Sequence, residues 1–269
     1  MCVPTPEAHP VPSLLAVFAH PDDESLSAGG VLAGHAAAGA RTGVVTTTWA
    51  ADTWRAAELA AALRILGAGE PRMLGYADAR FAPSAPGCVR FCDAPLDEAV
   101  RRLVVHIREF RPDIMVTHDG YGGLPGHPDH VHTHRVTVLA AQAAGLGQLY
   151  PDAGAPWQPR ALYLATHPHS AVAALRDVIG TREAYSVPDE QIAATVDVSP
   201  WLEQKIAAVL AHRSEVERGA APGVIAGLPP AEQARLLATE WYLRHAPVGT
   251  AVAGTGAAAQ AARTELTAC

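Results

Sequence analysis

The sequence predicts an α/β protein: a Rossmann-like, mostly parallel sheet with helices on both faces. Three observations predict it. Strand-like and helix-like segments alternate along the chain. The strand-like segments are short apolar or β-branched runs, as expected of strands buried on both faces. Right-handed crossovers then restrict such an alternation to Rossmann-like strand orders.

Ser13–Ala19 (SLLAVFA) is an apolar run and reads as the first strand, and Glu24–Ala38, rich in Ala, Leu and Val, as a helix. Thr42–Thr48 (TGVVTTT) is β-branched and reads as the second strand. Thr53–Leu66 has helical spacing and stops at Gly67. Arg72–Leu74 is a short third strand, followed by a long loop, Gly75–Pro95. Leu96–Phe110 is an amphipathic helix halted before Pro112. Asp113–Thr117 (DIMVT) is the fourth strand, Asp129–Ala144 a helix ending at Gly145, and Ala161–Thr166 (ALYLAT) the fifth strand. Ser199–His212 and Pro230–His245 read as closing helices. The loops Gly75–Pro95 and Thr117–Pro128 are long, and long loops at strand ends in this fold class carry sites.

The 269 residues read as a single domain over residues 1–246, with an Ala-, Gly- and Thr-rich tail, 247–269, expected to be flexible. With 49% hydrophobic and 17% charged residues the chain can bury a sizeable core. A formal net charge of −7 argues against nucleic acid or an anionic membrane as the main partner and is compatible with a neutral or cationic small molecule. Cys2, Cys88, Cys92 and Cys269 show no disulfide framework, which suggests a reducing, cytoplasmic setting. A structural zinc at Cys88 and Cys92 would need two further ligands. Met1–Ser13 has no basic start followed by an apolar run, and no stretch is long and apolar enough to cross a bilayer.

Two segments carry the chemistry: His20-Pro21-Asp22-Asp23-Glu24, directly after the first strand, and His127-Pro128-Asp129-His130, after the fourth. In the order 3-2-1-4-5 those strands are neighbours, and the crevice between their carboxyl ends is the topological switch point. The two segments, about a hundred residues apart, should therefore meet at the carboxyl ends of strands one and four. Two imidazoles and one carboxylate with an open fourth position make a catalytic zinc pattern, and zinc brings the pKa of a water to about 7. The same donors also suit ferrous iron. A remaining carboxylate can serve as general base, and a remaining His can donate a proton to a leaving amine. Adjacent side chains diverge, so Asp22 and Asp23 should do different work, one binding metal and the other facing the water. His127 and His130 share a side of a helix start. His118 and His134 are rival ligands, Glu24 and Asp23 also suit the positive N-terminus of a helix, and Asp78 either reaches the cleft or serves its turn.

The paired motifs, together with Arg55-x-x-Glu58 and Leu66-Gly67, resemble the LmbE-like (PIG-L) family of zinc N-acetylglucosaminyl deacetylases over the chain to about Ala165. The resemblance implies His20, Asp23 and His130 as zinc ligands and Asp22 as the base that activates water. It implies His127 as the group stabilising the tetrahedral oxyanion, and Arg55 as a binder of substrate hydroxyls. Arg55 could instead simply pair with Glu58 or Glu24. Two departures bear on the substrate. Pro125 stands where mycothiol-pathway members carry a Tyr, a role Tyr121 could take over, and the loop between Thr48 and Thr53 is short. The phrases Trp49–Leu59 and Gly120–Thr137 look more like actinobacterial deacetylases of glycopeptide-antibiotic pseudoaglycones. The implied reaction is removal of acetate from an N-acetylglucosaminyl group on such a pseudoaglycone. The alternatives are N-acetylglucosaminyl-inositol, an aminoglycoside pseudo-disaccharide, or amide cleavage in a thiol conjugate. A nucleotide-binding module is rejected, because carboxylates stand where a Gly-rich phosphate turn would be needed. A non-catalytic metal protein would close its ligand shell and leave Asp22 and His127 without purpose.

Overall fold

The computed structural model describes residues 11–179, 184–245 and 265–267. The proposed tail falls largely outside them, as does most of the stretch read for a leader. The described part of that tail, 265–267, packs on the domain: Leu266 is buried in the core and Glu265 accepts a hydrogen bond from Tyr163.

In chain order the elements are β1 (Leu14–Phe18), α1 (Asp23–Ala37), β2 (Thr42–Thr48), α2 (Trp54–Leu66), β3 (Arg72–Tyr76), α3 (Leu96–Phe110), β4 (Ile114–His118) and α4 (Pro128–Ala143). They continue as β5 (Ala161–Thr166), α5 (His169–Ala174), α6 (Arg176–Ile179), β6 (Ala194–Asp197), α7 (Leu202–Ala211), α8 (Arg213–Glu217), α9 (Ala221–Ala226), α10 (Pro230–Leu237) and β7 (Thr239–Arg244). The sheet order is β3-β2-β1-β4-β5-β7-β6. The first five strands run parallel in the expected order, and β7 is antiparallel to both β5 and β6.

The continuous apolar run of β1 is buried on both sides. Leu14, Ala16 and Phe18 join a core with residues of α1, α2 and α7, whereas Leu15 and Val17 join one with α3 and α4. Local chemistry sets the helix ends. The Thr53 hydroxyl caps α2 by accepting from the Ala56 amide, and Gly67 closes it at φ 72°. Helix α1 lies close against the sheet edge because Gly30 has no side chain: a Cβ there would stand 2.3 Å from that of Val198.

The last expected helix, Pro230–His245, is corrected: helix α10 ends at Leu237 and residues Thr239–Arg244 form β7. Thr239, Trp241 and Tyr242 in TEWYLR favour extended structure, and the segment pairs with a strand on each edge. Strand β6 is an addition to the expected elements, since four residues of alternating burial carry too short a signal.

Candidate metal centre and active site

The crevice at the carboxyl ends of β1 and β4 holds both motifs. The end of β1 is fixed by the Ala19 carbonyl, which accepts from the Thr48 amide at 3.0 Å and the Thr48 hydroxyl at 2.7 Å. His20 follows at once. Its amide donates to Asp23 Oδ2 at 2.8 Å, placing the carboxylate at the start of α1 below the imidazole. His130 arrives from the first turn of α4, whose N-cap is His127.

Three donor atoms converge. His20 Nδ1 lies 3.1 Å from His130 Nε2 and 3.4 Å from Asp23 Oδ2, and His130 Nε2 lies 3.3 Å from Asp23 Oδ2. Ligands held tetrahedrally by one zinc ion stand roughly 3.3 Å apart. The outward nitrogens are engaged as metal-binding imidazoles require. His130 Nδ1 meets the Gly122 carbonyl at 3.0 Å, and His20 Nε2 meets Asp129 Oδ2 at 3.2 Å. Donation from those nitrogens leaves the converging ones with free lone pairs. Burial holds His130 well below the usual imidazole range and so neutral. The donor set therefore fits a divalent cation.

Without a cation the surrounding carboxylates keep His20 protonated, so a divalent ion binding here would displace its Nδ1 proton. Burial would lower the His20 pKa, but the carboxylates of Asp129, Asp23 and Asp78 outweigh it and hold His20 up at about 10. Burial opposes ionisation of Asp23, yet His130 and His118 beside it keep its carboxyl well below the usual range.

Asp22 is set apart from these ligands by its backbone, at φ 129°, ψ −29°. That is a costly conformation for a non-glycine residue and is commonly stored at functional sites. Three contacts hold it. The Asp22 amide donates to Glu24 Oε2 at 3.0 Å, Glu24 Oε1 pairs with His212 Nε2 at 2.9 Å, and the Arg55 guanidinium grips the Pro21 carbonyl. Burial pushes the Asp22 carboxyl up to about 6, with Arg55 opposing and Asp23 adding to the rise. Arg55 itself is buried between Asp22, at 3.4 Å, and Glu215, and also lines the cavity. His127 Nδ1 accepts from the Asp129 amide at 3.2 Å, which leaves Nε2 to carry the ring's proton. Burial and the neighbouring His20 charge push His127 down to about 4. At neutral pH it is thus a neutral imidazole with Nε2–H free to donate.

All six sequence-derived site residues line one cavity, joined by His118, Asp78 and Pro125. His118 adds a further donor to the centre: its Nε2 lies 3.4 Å from Asp23 Oδ2 and 3.3 Å from the Ala19 amide, its ring stacks on His130 at 4.0 Å, and Asp23, His118 and His130 together could also hold a metal ion. His134 turns to the His118 carbonyl at 2.9 Å. Asp78 fills both roles weighed for it, accepting from the Arg80 amide at 2.7 Å while its other oxygen lies 3.4 Å from His20. Tyr121 does not line the cavity; its ring stacks on Tyr185 at 5.7 Å. The residues without an assigned role in the sequence are Asp129, which also accepts from the Ala79 and Cys92 amides, and His212. The place of Asp129 inside the second motif was a usable signal; His212 carries none.

Imidazoles and carboxylates gathered at the switch point of a Rossmann-like sheet form a candidate metal centre of the kind hydrolytic enzymes use. Residues 15–141 match the model of the family described as PIG-L, GlcNAc-PI de-N-acetylase. The 1D-myo-inositol 2-acetamido-2-deoxy-alpha-D-glucopyranoside deacetylase of Rhodococcus jostii (strain RHA1) is 38% identical over 239 residues, covering 76% of this chain and 81% of the relative. Among solved structures, the conserved protein TT1542 from Thermus thermophilus superposes with a TM-score of 0.63 at 27% identity, covering 89% of this chain and 97% of the other. The A40926 pseudoaglycone deacetylase Dbv21 superposes at 0.56 with 25% identity, covering 88% and 99%. The chain belongs to the PIG-L (LmbE-like) deacetylase family and is an amide hydrolase of N-acetyl sugars. No helix among the described residues is long and apolar enough to cross a membrane.

Proposed function

We propose that the protein is a zinc-dependent deacetylase that releases acetate from the 2-acetamido group of an N-acetylglucosaminyl conjugate, with His20, Asp23 and His130 holding the metal. The carrying observation is the mutual spacing of 3.1, 3.3 and 3.4 Å among their donor atoms, beside a carboxylate outside that trio. When bound there, zinc would acidify a water and polarise the acetamide carbonyl. Asp22 takes the proton of the attacking water; a carboxyl near 6 is largely ionised at neutral pH and still basic enough for the task. His127 donates its Nε2–H to the oxygen that gains negative charge. Arg55 orients Asp22 and tunes its basicity, and it remains the candidate contact for substrate hydroxyls. Collapse of the tetrahedral carbon expels the amine, which takes up the proton that Asp22 received.

For the acceptor, the curated relatives support the inositol glycoside over the pseudoaglycone expected from the sequence. Pro125 on the cavity wall is the observation that favours the second reading, since it removes the phenol expected of inositol-specific members. The test is acetate release and product mass from zinc-loaded protein given N-acetylglucosaminyl-inositol and an N-acetylglucosaminyl pseudoaglycone, with and without chelator. Chelator-sensitive loss of one acetyl group from the inositol glycoside is expected. Acetate from neither, with zinc bound, would overturn the substrate reading.

A further inference from the structure

Arg55 reaches the Asp22 carboxylate from α2, and whatever fixes its guanidinium decides how well it orients that group. Its nitrogens meet the Pro21 carbonyl, Asp22 at 3.4 Å, Glu58 at 3.9 Å and Glu215. A contact of a different kind comes from the residue that follows β2. The guanidinium carbon lies over the Trp49 ring, 5.3 Å from its centroid. That is inside the roughly 6 Å at which an indole attracts a cation, an attraction worth up to about thirty-fold in an equilibrium when both partners are desolvated. Both are desolvated here, Arg55 being 3% exposed and Trp49 5%.

Trp49 is held in place at a cost. Its φ is 70°, in the left-handed region that a bulky side chain rarely adopts. Such conformations persist where the surroundings over-determine them, and they gather at functional sites. Here the Trp49 amide donates to the Tyr76 carbonyl at 2.9 Å, and the Ala50 amide donates to the Ser84 carbonyl at 3.0 Å. The indole stacks on Phe81 with centroids 5.5 Å apart and meets Trp54 edge-on at 5.3 Å. Its Nε1–H is buried and has no hydrogen-bond partner among the described residues. A buried indole usually finds a partner for that N–H, so what this position uses is the ring. The preceding residue, Thr48, is the one whose amide and hydroxyl meet the Ala19 carbonyl. The ring is thereby registered against the strand end that delivers His20 and Asp22.

We infer that Trp49 is a positioning residue for the reaction: its ring holds the Arg55 guanidinium where that group orients the Asp22 carboxylate. The inference rests on the reading of Arg55 and Asp22 given above, and not on the choice of acceptor. Trp49 borders the cavity beside Arg55, so a direct contact between its ring and the substrate is the rival account that the experiment has to separate.

The test uses the zinc-loaded full chain as wild type, Trp49→Phe, Trp49→Leu, Arg55→Met and the double variant Trp49→Leu/Arg55→Met. Acetate release is followed on whichever of the two glycosides above is turned over faster, with rates taken per bound zinc. Trp49→Leu should lose about ten-fold in kcat/KM, whereas Trp49→Phe, which keeps an aromatic face, should stay within about three-fold of wild type. Arg55→Met removes the group through which Trp49 acts, so adding Trp49→Leu to it should cost less than about two-fold. A ring that touched the substrate directly, or packed and nothing more, would cost the same in both backgrounds, and that additivity would overturn the inference. Wild-type turnover by Arg55→Met would overturn it together with the role of Arg55 and leave the deacetylase standing. Nitrogen-15 NMR reads the contact without turnover. The Arg55 Nε–H signal should be displaced by the indole ring current in the wild type, keep a displacement in Trp49→Phe, and return towards that of a free arginine in Trp49→Leu. An unmoved signal in Trp49→Leu would overturn the inference. Turnover of neither glycoside would count against the deacetylase reading. In that event, or if Arg55→Met fails to fold, the NMR comparison decides the inference by itself.

Discussion

At the scale of single residues, the two adjacent aspartates show how one dipeptide does two jobs. Asp23 begins a helix and points at two imidazoles, while Asp22, at φ 129°, presents its carboxylate to Arg55 and the cavity. Asp22→Asn should therefore keep full zinc stoichiometry by elemental analysis and lose roughly 10²–10⁴ in kcat, the usual worth of a positioned general base. Asp129 acts one step further out. Its oxygens take the Ala79 and Cys92 amides and His20 Nε2, so the charge that steadies the ligand is itself steadied by two points of the long Gly75–Pro95 loop. Asp129→Asn should weaken zinc binding by about 10–100-fold in a chelator competition, as loss of an outer partner to a ligating His does. Much of this centre was legible in the sequence, because both motifs are local and each ends on a helix start. What was not legible is partner choice across long separations. Nothing near Glu24 announces His212, and nothing near Arg55 announces Glu215.

At the scale of elements, the strands with continuous apolar or β-branched runs were readable, since burial on both faces removes any need for polar alternation. The sheet's far edge was harder to read. β6 is four residues long, and β7 follows α10 with little punctuation, so a helical reading ran on through it. That edge matters to the site through α1. Gly30 lets the helix approach Val198 next to β6, and Glu240 of β7 accepts the Gly30 and Val31 amides. Gly30→Ala forces a methyl group to 2.3 Å from the Val198 Cβ. Overpacking of this kind costs about 1–3 kcal/mol. A lower urea midpoint with an unchanged m-value is expected; an unchanged midpoint would show that the helix can step away freely.

At the scale of the whole molecule, the buried histidines outside the centre tie stability to pH. His35 is fully buried on α1 with its ring 3.2 Å from the Pro12 carbonyl. Burial lowers its pKa below 6.5, the carbonyl contact opposing. The unfolded chain therefore takes up this proton first as the pH falls. The contribution of the neutral ring is complete above pH 6.5 and is lost progressively below it. Between pH 7 and 5 the urea midpoint of the wild type should drop more steeply than that of His35→Gln, which cannot titrate. Parallel slopes would remove His35 from the account.

The contact between Glu24 and His212 spans 188 positions of the chain. Every proposed metal ligand has left the ribosome long before His212 is made, as has the whole stretch matched by the family model. The nascent protein thus carries its donors early and its lock late. A ribosome-bound chain ending near Ala165 would have all three donors and the Arg55 grip on Pro21, but not the His212 contact that fixes Glu24. The contact that steadies the Asp22 turn is accordingly made only once the C-terminal helices have emerged, which ties the finishing of the proposed base to the end of synthesis.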